Sequence, residues 1–172
     1  QSGQTDLKSG ATNSFTSEFQ VFGSQHSGFF TDGDVARASV YQKVLTEAEI
    51  LINYHQAAIL TTNLDLAVNA GNLMSYTPDN TDETQDLVSS TTGTLTNGVD
   101  FSINFGGTWE FDGTDDYITF GNPTDLQYIY TDPFSLEVWC KMSTVSGFKH
   151  LIGKTYANYR LAISGNRISF RL

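Results

Sequence analysis

The sequence contains a single cysteine, few basic residues and no long apolar run. Cys140 is the lone cysteine among 172 residues, so neither a disulfide within one chain nor a cysteine-based metal site can form. It lies in an apolar strand-like pattern, which predicts a small buried hydrophobic residue rather than a reactive thiol. No apolar stretch approaches the length of a membrane span.

Basic residues are scarce and scattered. Nine Lys and Arg stand against 19 Asp and Glu, which gives a net charge of −10. A protein that binds nucleic acid needs a cationic stripe to displace counterions, so that class is excluded. An anionic membrane surface is excluded as a partner on the same ground, whereas Ca²⁺ would be attracted.

The residues that are abundant favour β-structure. Apolar residues make up 39% and charged residues 16% of the chain, which has 12 Phe and 8 Tyr. Aromatic and β-branched side chains pack well on a pleated sheet, and a disordered chain would have fewer aromatics and more charge.

Local patterns predict many short strands and one short helix. Leu161 to Phe170 predicts a hairpin about a Gly165-Asn166 turn, in which Ile163 faces Ile168. Thr46 and Glu49 form a capping box, which begins a helix predicted at about 46–57. Strand patterns occur at 18–22, 34–41, 64–70 and 134–142. Together these patterns predict an all-β fold, an antiparallel jelly-roll β-sandwich.

Two stretches carry a family resemblance. Residues 107–118 read GTWEFDGTDDYI and residues 134–139 read FSLEVW. They resemble the opening hairpin and the next strand of laminin-G-like, concanavalin A-like jelly rolls. Residues 69–72 and 93–98 precede this hairpin in the chain. They are similar to the segment that precedes it in such domains of bacteriophage virion and bacterial surface proteins.

A second match is out of order. Residues 33–41 (GDVARASVY) and 45–50 (LTEAEI) resemble the end of the same family, a last strand followed by a helix. The resemblance implies that 1–57 is the C-terminal part of one jelly roll, 58–63 a connector, and 64–172 the N-terminal part of a second. The alternative is that both pieces pack as one permuted sandwich.

The resemblance also sets the functional expectation. We expect a non-enzymatic structural or adhesion module of a virion, such as a fibre, decoration or tail-associated protein. Its partners would be other virion subunits, copies of itself or cell-surface polysaccharide. The alternative is a carbohydrate-binding domain of a secreted or surface bacterial protein. Since the chain starts at Gln1 and ends in a strand-like pattern, we expect it to be part of a longer protein.

No catalytic residues are predicted. Glu110, Asp112 and Asp115 superficially resemble the three-acid strand of jelly-roll glucanases, in which two carboxylates must lie about 5–5.5 Å apart. Asp112-Gly113 should break that strand. His26, His55 and His150 lack partners at metal-ligand spacing, so zinc or acid–base roles are not expected.

Two binding sites remain as hypotheses. Asp112, Asp115 and Asp116 together could supply loop oxygens to Ca²⁺. Among the aromatic residues, Trp109 and Trp139 are expected to fill the core. Tyr128 and Tyr130, in a loop before Asp132-Pro133, are expected at the surface as candidate sugar-binding residues, and Tyr156 is a further aromatic candidate.

Overall fold

The computed structural model describes residues 18–23, 29–47, 49–50, 62–78, 82–154 and 158–172. The predicted loop at 1–16, most of the connector, and His26, His55 and Tyr156 lie outside these residues. The described part of the chain forms twelve strands: β1 (Phe19–Val21), β2 (Asp32–Tyr41), β3 (Leu64–Asn69), β4 (Glu83–Gln85), β5 (Thr92–Thr96), β6 (Asp100–Ser102), β7 (Thr108–Asp112), β8 (Tyr117–Thr119), β9 (Ser135–Met142), β10 (Phe148–Lys154), β11 (Arg160–Ser164) and β12 (Arg167–Arg171).

The strands form two antiparallel sheets, so the predicted all-β class is confirmed. The first sheet has the spatial order β12-β11-β10-β1-β8-β5-β4. The second sheet is built around β2, which pairs with β3, β7 and β9, and β6 extends it beyond β7. Single 3-10 turns lie at Asn104–Gly106 and Thr124–Leu126. The jelly-roll connectivity stays a prediction.

Strand β2 has neighbours on both sides along its whole length. On one side it pairs with β9, from Gly33 opposite Met142 to Tyr41 opposite Ser135. On its other side the C-terminal half pairs with β3 and the N-terminal half with β7. The pairing with β9 shifts between Val35 and Arg37, which leaves Ala36 as the extra residue of a β-bulge.

One hydrophobic core fills the space between the sheets. The first sheet supplies Phe19, Val21, Ile118 and Ile152, and the second supplies residues of β2, β3 and β7. Trp109 of β7 is fully buried, as the sequence predicted, and Tyr76 packs edge-on against it at a ring separation of 5.7 Å.

Both parts of the chain contribute to this core. β1 pairs with β8 and β10, and β2 pairs with three strands from beyond residue 63. The described residues before and after the connector therefore share one pair of sheets.

Two local predictions are confirmed in detail. In the hairpin of β11 and β12, Ile163 lies opposite Ile168 and Leu161 opposite Phe170, with residues 165 and 166 in the turn. The capping box also forms, because the Thr46 N–H donates to the Glu49 carboxylate at 2.9 Å and the Glu49 N–H donates to the Thr46 hydroxyl at 3.4 Å. A helical turn follows to Ile50, and the rest of the predicted helix to residue 57 lies outside the described residues.

Replacing the central core residue tests this packing. We expect Trp109→Ala to lower the free energy of unfolding by about 3–5 kcal/mol, because the cavity adds to the lost burial. Leu73→Ala, at a site that is 72% exposed, should change it by less than about 0.5 kcal/mol. Urea unfolding of the three proteins measures both values. Equal effects of the two substitutions would contradict the central place of Trp109.

Candidate functional site

The loop between β7 and β8 gathers the three acidic residues that the sequence predicted as a metal site. Asp112 ends β7, and its carboxylate accepts the Thr114 N–H at 2.7 Å. Asp116 lies before β8 and accepts the Asp112 N–H at 2.9 Å. Gly113 has φ 77°, and a Cβ there would lie 2.5 Å from the Cβ of Asp32, so the turn requires glycine.

The three carboxylates lie close together and differ in burial. One oxygen from each of Asp112, Asp115 and Asp116 lies within 4.8 Å of the others. Asp112 and Asp115 are exposed, but Asp116 is only 2% exposed and its Oδ1 has no hydrogen-bond partner. Burial, together with repulsion from Asp112 and Asp115, raises the pKa of Asp116, although the Asp112 N–H opposes the shift. Metal binding by this trio stays a prediction.

The glucanase-like acids do not form one strand. Glu110 and Asp112 alternate with the buried Trp109 and Phe111, so both project from the outer face of the second sheet. The strand ends at Asp112, and Asp115 lies in the bend that follows. The predicted break at Asp112-Gly113 is therefore confirmed.

The same outer face carries a row of acids across three strands. In register, Asp34 of β2 lies opposite Glu110 of β7, which lies opposite Asp100 of β6. We call these three residues the acidic row. Like charges directly opposite one another destabilise a sheet. On the other side of β2, Lys141 of β9 lies opposite Asp34, so the row has a basic neighbour at that end.

The two tyrosines predicted at the surface have different environments. Tyr128 is 6% exposed, its ring stacks on Phe134 at 4.7 Å, and its hydroxyl donates to the Asp65 carboxylate. The predicted surface position of Tyr128 is wrong, because the loop turns this ring into the core. Burial first, and then the bond to Asp65, raise its pKa. Tyr130 is 68% exposed and remains available to a ligand.

Trp139 does not fill the core, so that prediction is wrong. It lies half-buried on the outer face of β9, where its indole N–H donates to Glu137 at 2.7 Å. Arg37 of β2 also contacts Glu137 at 2.7 Å, and its guanidinium lies 5.5 Å from the centre of the Trp139 ring. Alternation with the apolar residues 136 and 138 is the sequence signal that places residues 137 and 139 on this face.

Cys140 is exposed, so its predicted burial is also wrong. It lies opposite Val35, which is fully buried, but it belongs to an edge strand near the bulge of β2, where little covers it. Desolvation by the surrounding protein still raises the pKa of the thiol to about 11, so the thiolate is a minor form at neutral pH.

An apolar rim lies where the two sheets end side by side. Within the described residues, β9 pairs with β2 alone and β12 with β11 alone, so each strand has one open edge. The rings of Phe134 and Phe170 meet at 5.9 Å across the gap between the sheets. We define the apolar rim as the half-buried or exposed residues Phe134, Leu136, Val138, Ile168 and Phe170. Ile168 is 79% and Phe170 52% exposed.

His150 is a buried histidine with no acid–base partner. It is 1% exposed, and neither ring nitrogen has a hydrogen-bond partner. Burial, with a smaller contribution from the Arg160 charge, lowers its pKa to about 3. The side chain is therefore neutral at physiological pH.

Comparison with family models, with curated proteins and with solved structures finds no match to this chain. Among the described residues, no helix has both the length and the apolar character that a membrane crossing requires.

The buried histidine predicts a specific loss of stability in acid. An unfolded histidine has a pKa of about 6.5, so the unfolded chain binds more protons than the folded chain between that pH and about 3. Stability should therefore fall as the pH drops through this window, by up to about 1.4 kcal/mol per pH unit from His150. Urea unfolding of wild type and His150→Gln at pH 7.5, 6 and 5 measures the difference in slope. If the free energy of unfolding depends on pH equally in the two proteins, the lowered pKa of His150 is refuted.

Proposed function

We propose that this chain is a non-enzymatic structural and adhesion module that assembles with further copies of itself. Such a role is that of a bacteriophage fibre, decoration or tail-associated protein, which the sequence resemblance to laminin-G-like virion domains suggested. The observation that carries the proposal is the apolar rim, where Ile168 and Phe170 are exposed on the open edge strand β12 beside the half-buried apolar residues of the β9 edge.

The rim has the properties of a protein-binding surface. An open strand edge presents unpaired N–H and C=O groups that another chain can match. Exposed aromatic and aliphatic side chains that cluster beside such edges mark interaction sites. Phe170 and Phe134 already touch, so a partner at this position would cover a continuous apolar surface.

Charge complementarity supports a second copy of the chain as the partner. Side chains alternate along β12, so Arg167 and Arg171 project opposite to Ile168 and Phe170. Both arginines are exposed in a chain whose net charge is −10. The acidic row has the complementary charge, which a cationic partner would balance.

The two surfaces have similar lengths, which differ by about 3 Å. Four residues along a strand separate Arg167 from Arg171 by about 13 Å. Two inter-strand spacings separate Asp34 from Asp100 by about 10 Å. In the proposed contact, β12 of one copy lies against the acidic row of the next. Since the two surfaces differ, repetition of the contact gives a ring or a filament.

Charge reversal and rescue test this assembly. We expect wild type to associate at concentrations up to about 1 mM, where an interaction of about −4 kcal/mol is detectable. Arg167→Glu should shift the population to monomers, and combining it with Glu110→Arg should restore association, because the charge pair is rebuilt with reversed sign. Analytical ultracentrifugation at low and high salt gives the populations.

Two variants complete the experiment. Phe170 lies on the face of β12 opposite to Arg167 and Arg171, so Phe170→Glu should produce monomers if the next copy covers the apolar rim in addition to the arginine face. Leu73→Glu, at an exposed apolar site away from the rim, should leave association unchanged. A wild-type chain that stays monomeric at all concentrations would rule out assembly through this contact.

The second candidate function is carbohydrate binding by a secreted or surface bacterial protein. The observation in its favour is Trp139, which is half-buried on an outer sheet face beside the Arg37–Glu137 pair. An aromatic face next to fixed polar groups is a combination that holds a ligand in one orientation. Glu137 and Arg37 would supply hydrogen bonds to sugar hydroxyls.

Binding to cell-surface polysaccharides distinguishes this candidate. If sugars stack on the indole, Trp139→Ala should weaken binding about tenfold, which corresponds to about 1.4 kcal/mol. Tyr128→Phe should have no effect, because that ring is buried. Loss of binding in Tyr130→Ala, but not in Trp139→Ala, would indicate that the sugar binds to the loop before Asp132 instead of to Trp139. Calorimetry with purified polysaccharide provides the affinities.

A further inference from the structure

Two loops of the second sheet expose large apolar side chains. Leu73 and Met74 lie in the turn that follows β3, and they are 72% and 78% exposed. Ile103 and Phe105 lie in the loop between β6 and β7, and they are 84% and 79% exposed. We call these four residues the loop patch. Among the described residues, Ile168 of the apolar rim is the one other large apolar side chain that is at least 72% exposed.

The two loops meet through their glycines. A Cβ on Gly71 would lie 1.9 Å from the carbonyl oxygen of Gly106, and a Cβ on Gly107 would lie 2.5 Å from the Cα of Gly71. The two backbones therefore touch, and this contact has no space for a side chain. Each residue of the loop patch lies one to three positions along the chain from one of these glycines. The four exposed side chains thus belong to one small region of the surface.

Local interactions hold both loops in the conformation that exposes these side chains. The Asn69 side chain accepts the Gly71 N–H at 2.9 Å, and the Asn72 side chain accepts the Met74 N–H at 2.9 Å. In the second loop, Phe105 has φ 55°, which lies in the left-handed region that bulky residues rarely adopt. Such backbone strain persists only where the surroundings enforce it. The exposure of the loop patch is therefore a fixed feature of the fold.

A group of aromatic rings anchors the loops from behind. Tyr76, which ends the first loop, is 3% exposed, and its ring lies 5.2 Å from that of Phe101 and 5.7 Å from that of Trp109. Phe101 and Trp109 flank the second loop on β6 and β7. The loop patch therefore projects from a rigid base, and a ligand that binds it need not order the loops first.

Charge is absent from both loops. Residues 69–76 and 101–109 contain no Asp, Glu, Lys or Arg, although charged residues make up 16% of the chain. A surface segment without ions enters an apolar medium at low cost, because no charge has to be dehydrated. The amino group of Lys141 lies 5.6 Å from the centre of the Phe105 ring, which places a cation beside the patch at the level of a lipid phosphate.

The size and shape of the loop patch favour a lipid surface over a protein partner. Its side chains project into solvent from loops, and they line no groove. Together they offer about 500 Å² of apolar surface if each large side chain contributes somewhat less than its full area. A stable protein–protein interface covers about 800 Å² on each partner. A bilayer requires no complementary shape, since apolar side chains enter its interface one by one.

We propose that the loop patch inserts into the interface of a zwitterionic lipid bilayer. This inference does not rest on the proposed assembly, which uses the apolar rim, the two arginines of β12 and the acidic row. The net charge of −10 opposes approach to an anionic surface, so zwitterionic phosphatidylcholine is the lipid class that fits. Only the loop tips would enter the bilayer, and the chain would lie on its surface.

Cosedimentation of the full chain with phosphatidylcholine vesicles tests the proposal. At about 1 μM protein, a self-association that requires about 1 mM is absent. We expect half-maximal binding at about 0.1–1 mM lipid, the range of a single acyl chain or somewhat weaker. Replacing about one third of the lipid with phosphatidylserine should weaken binding at low salt, because the two surfaces repel. Phe105→Trp should show a blue shift of its fluorescence when these vesicles are added.

Two matched serine variants locate the contact. Ile103→Ser should weaken vesicle binding by about tenfold, because each buried methylene that is lost changes partitioning about fourfold when it is fully inserted. Ile168→Ser is the same substitution at a site that is 79% exposed on the apolar rim, and it should leave vesicle binding unchanged. Both residues are exposed, so both variants are expected to fold, and equal urea midpoints would verify this.

Three results would overturn the proposal. The first is the absence of vesicle binding at about 10 mM lipid, well above the expected range. If Ile103→Ser then lowered self-association in the ultracentrifuge, the loop patch would be a protein interface. The second is an equal loss of binding in Ile103→Ser and Ile168→Ser, which would indicate unspecific apolar adsorption. The third is stronger binding to the vesicles with phosphatidylserine, which would assign the contact to basic residues.

Discussion

The pairing of β2 with strands on both sides is the constraint on which the second sheet depends. Every strand of that sheet either pairs with β2 or, in the case of β6, pairs with β7, which does. The inner face of β2 places Val35, Ala38 and Val40 in the core at full burial. The outer face carries Asp34 and Arg37, which become part of the acidic row and of the Trp139 contacts. β2 thus supplies both apolar side chains to the core and charged side chains to the outer face of the second sheet.

The arrangement of strands around β2 also determines where the sandwich is open. Because β3 and β7 share one side of β2, β9 has the other side to itself and forms an edge. On the first sheet, β12 is the corresponding edge. Phe134, just before β9, contacts Phe170 of β12, and Ile168 and Phe170 remain exposed because no strand pairs with β12 on its outer side within the described residues. A surface of this kind is stable in water only at a cost, and association removes that cost.

Among the buried polar groups that lack a hydrogen-bond partner, those of His150 and Asp116 have different consequences. His150 can remain neutral, so its burial has a cost only in acid, when the unfolded chain takes up a proton. Asp116 has acidic neighbours, so its burial has a cost at neutral pH unless a cation or a proton joins it.

The sequence by itself determined the features that depend on near neighbours along the chain. The hairpin register of β11 and β12 follows from alternation and the Gly165-Asn166 turn, and the capping box follows from Thr46 and Glu49. The closeness of Asp112, Asp115 and Asp116 follows from their spacing of four residues about a glycine turn.

Only the tertiary structure decided which side chains are covered. Tyr128 is buried because its loop folds onto Phe134 and onto Asp65, and Asp65 is distant in sequence. Cys140 and Trp139 belong to a strand whose alternation was predicted, but their exposure depends on β9 being an edge. The acidic row exists because β2, β6 and β7 are neighbours in a given register. Alternation assigns residues to the two faces of a strand, and only the packing of the sheets decides what each face meets.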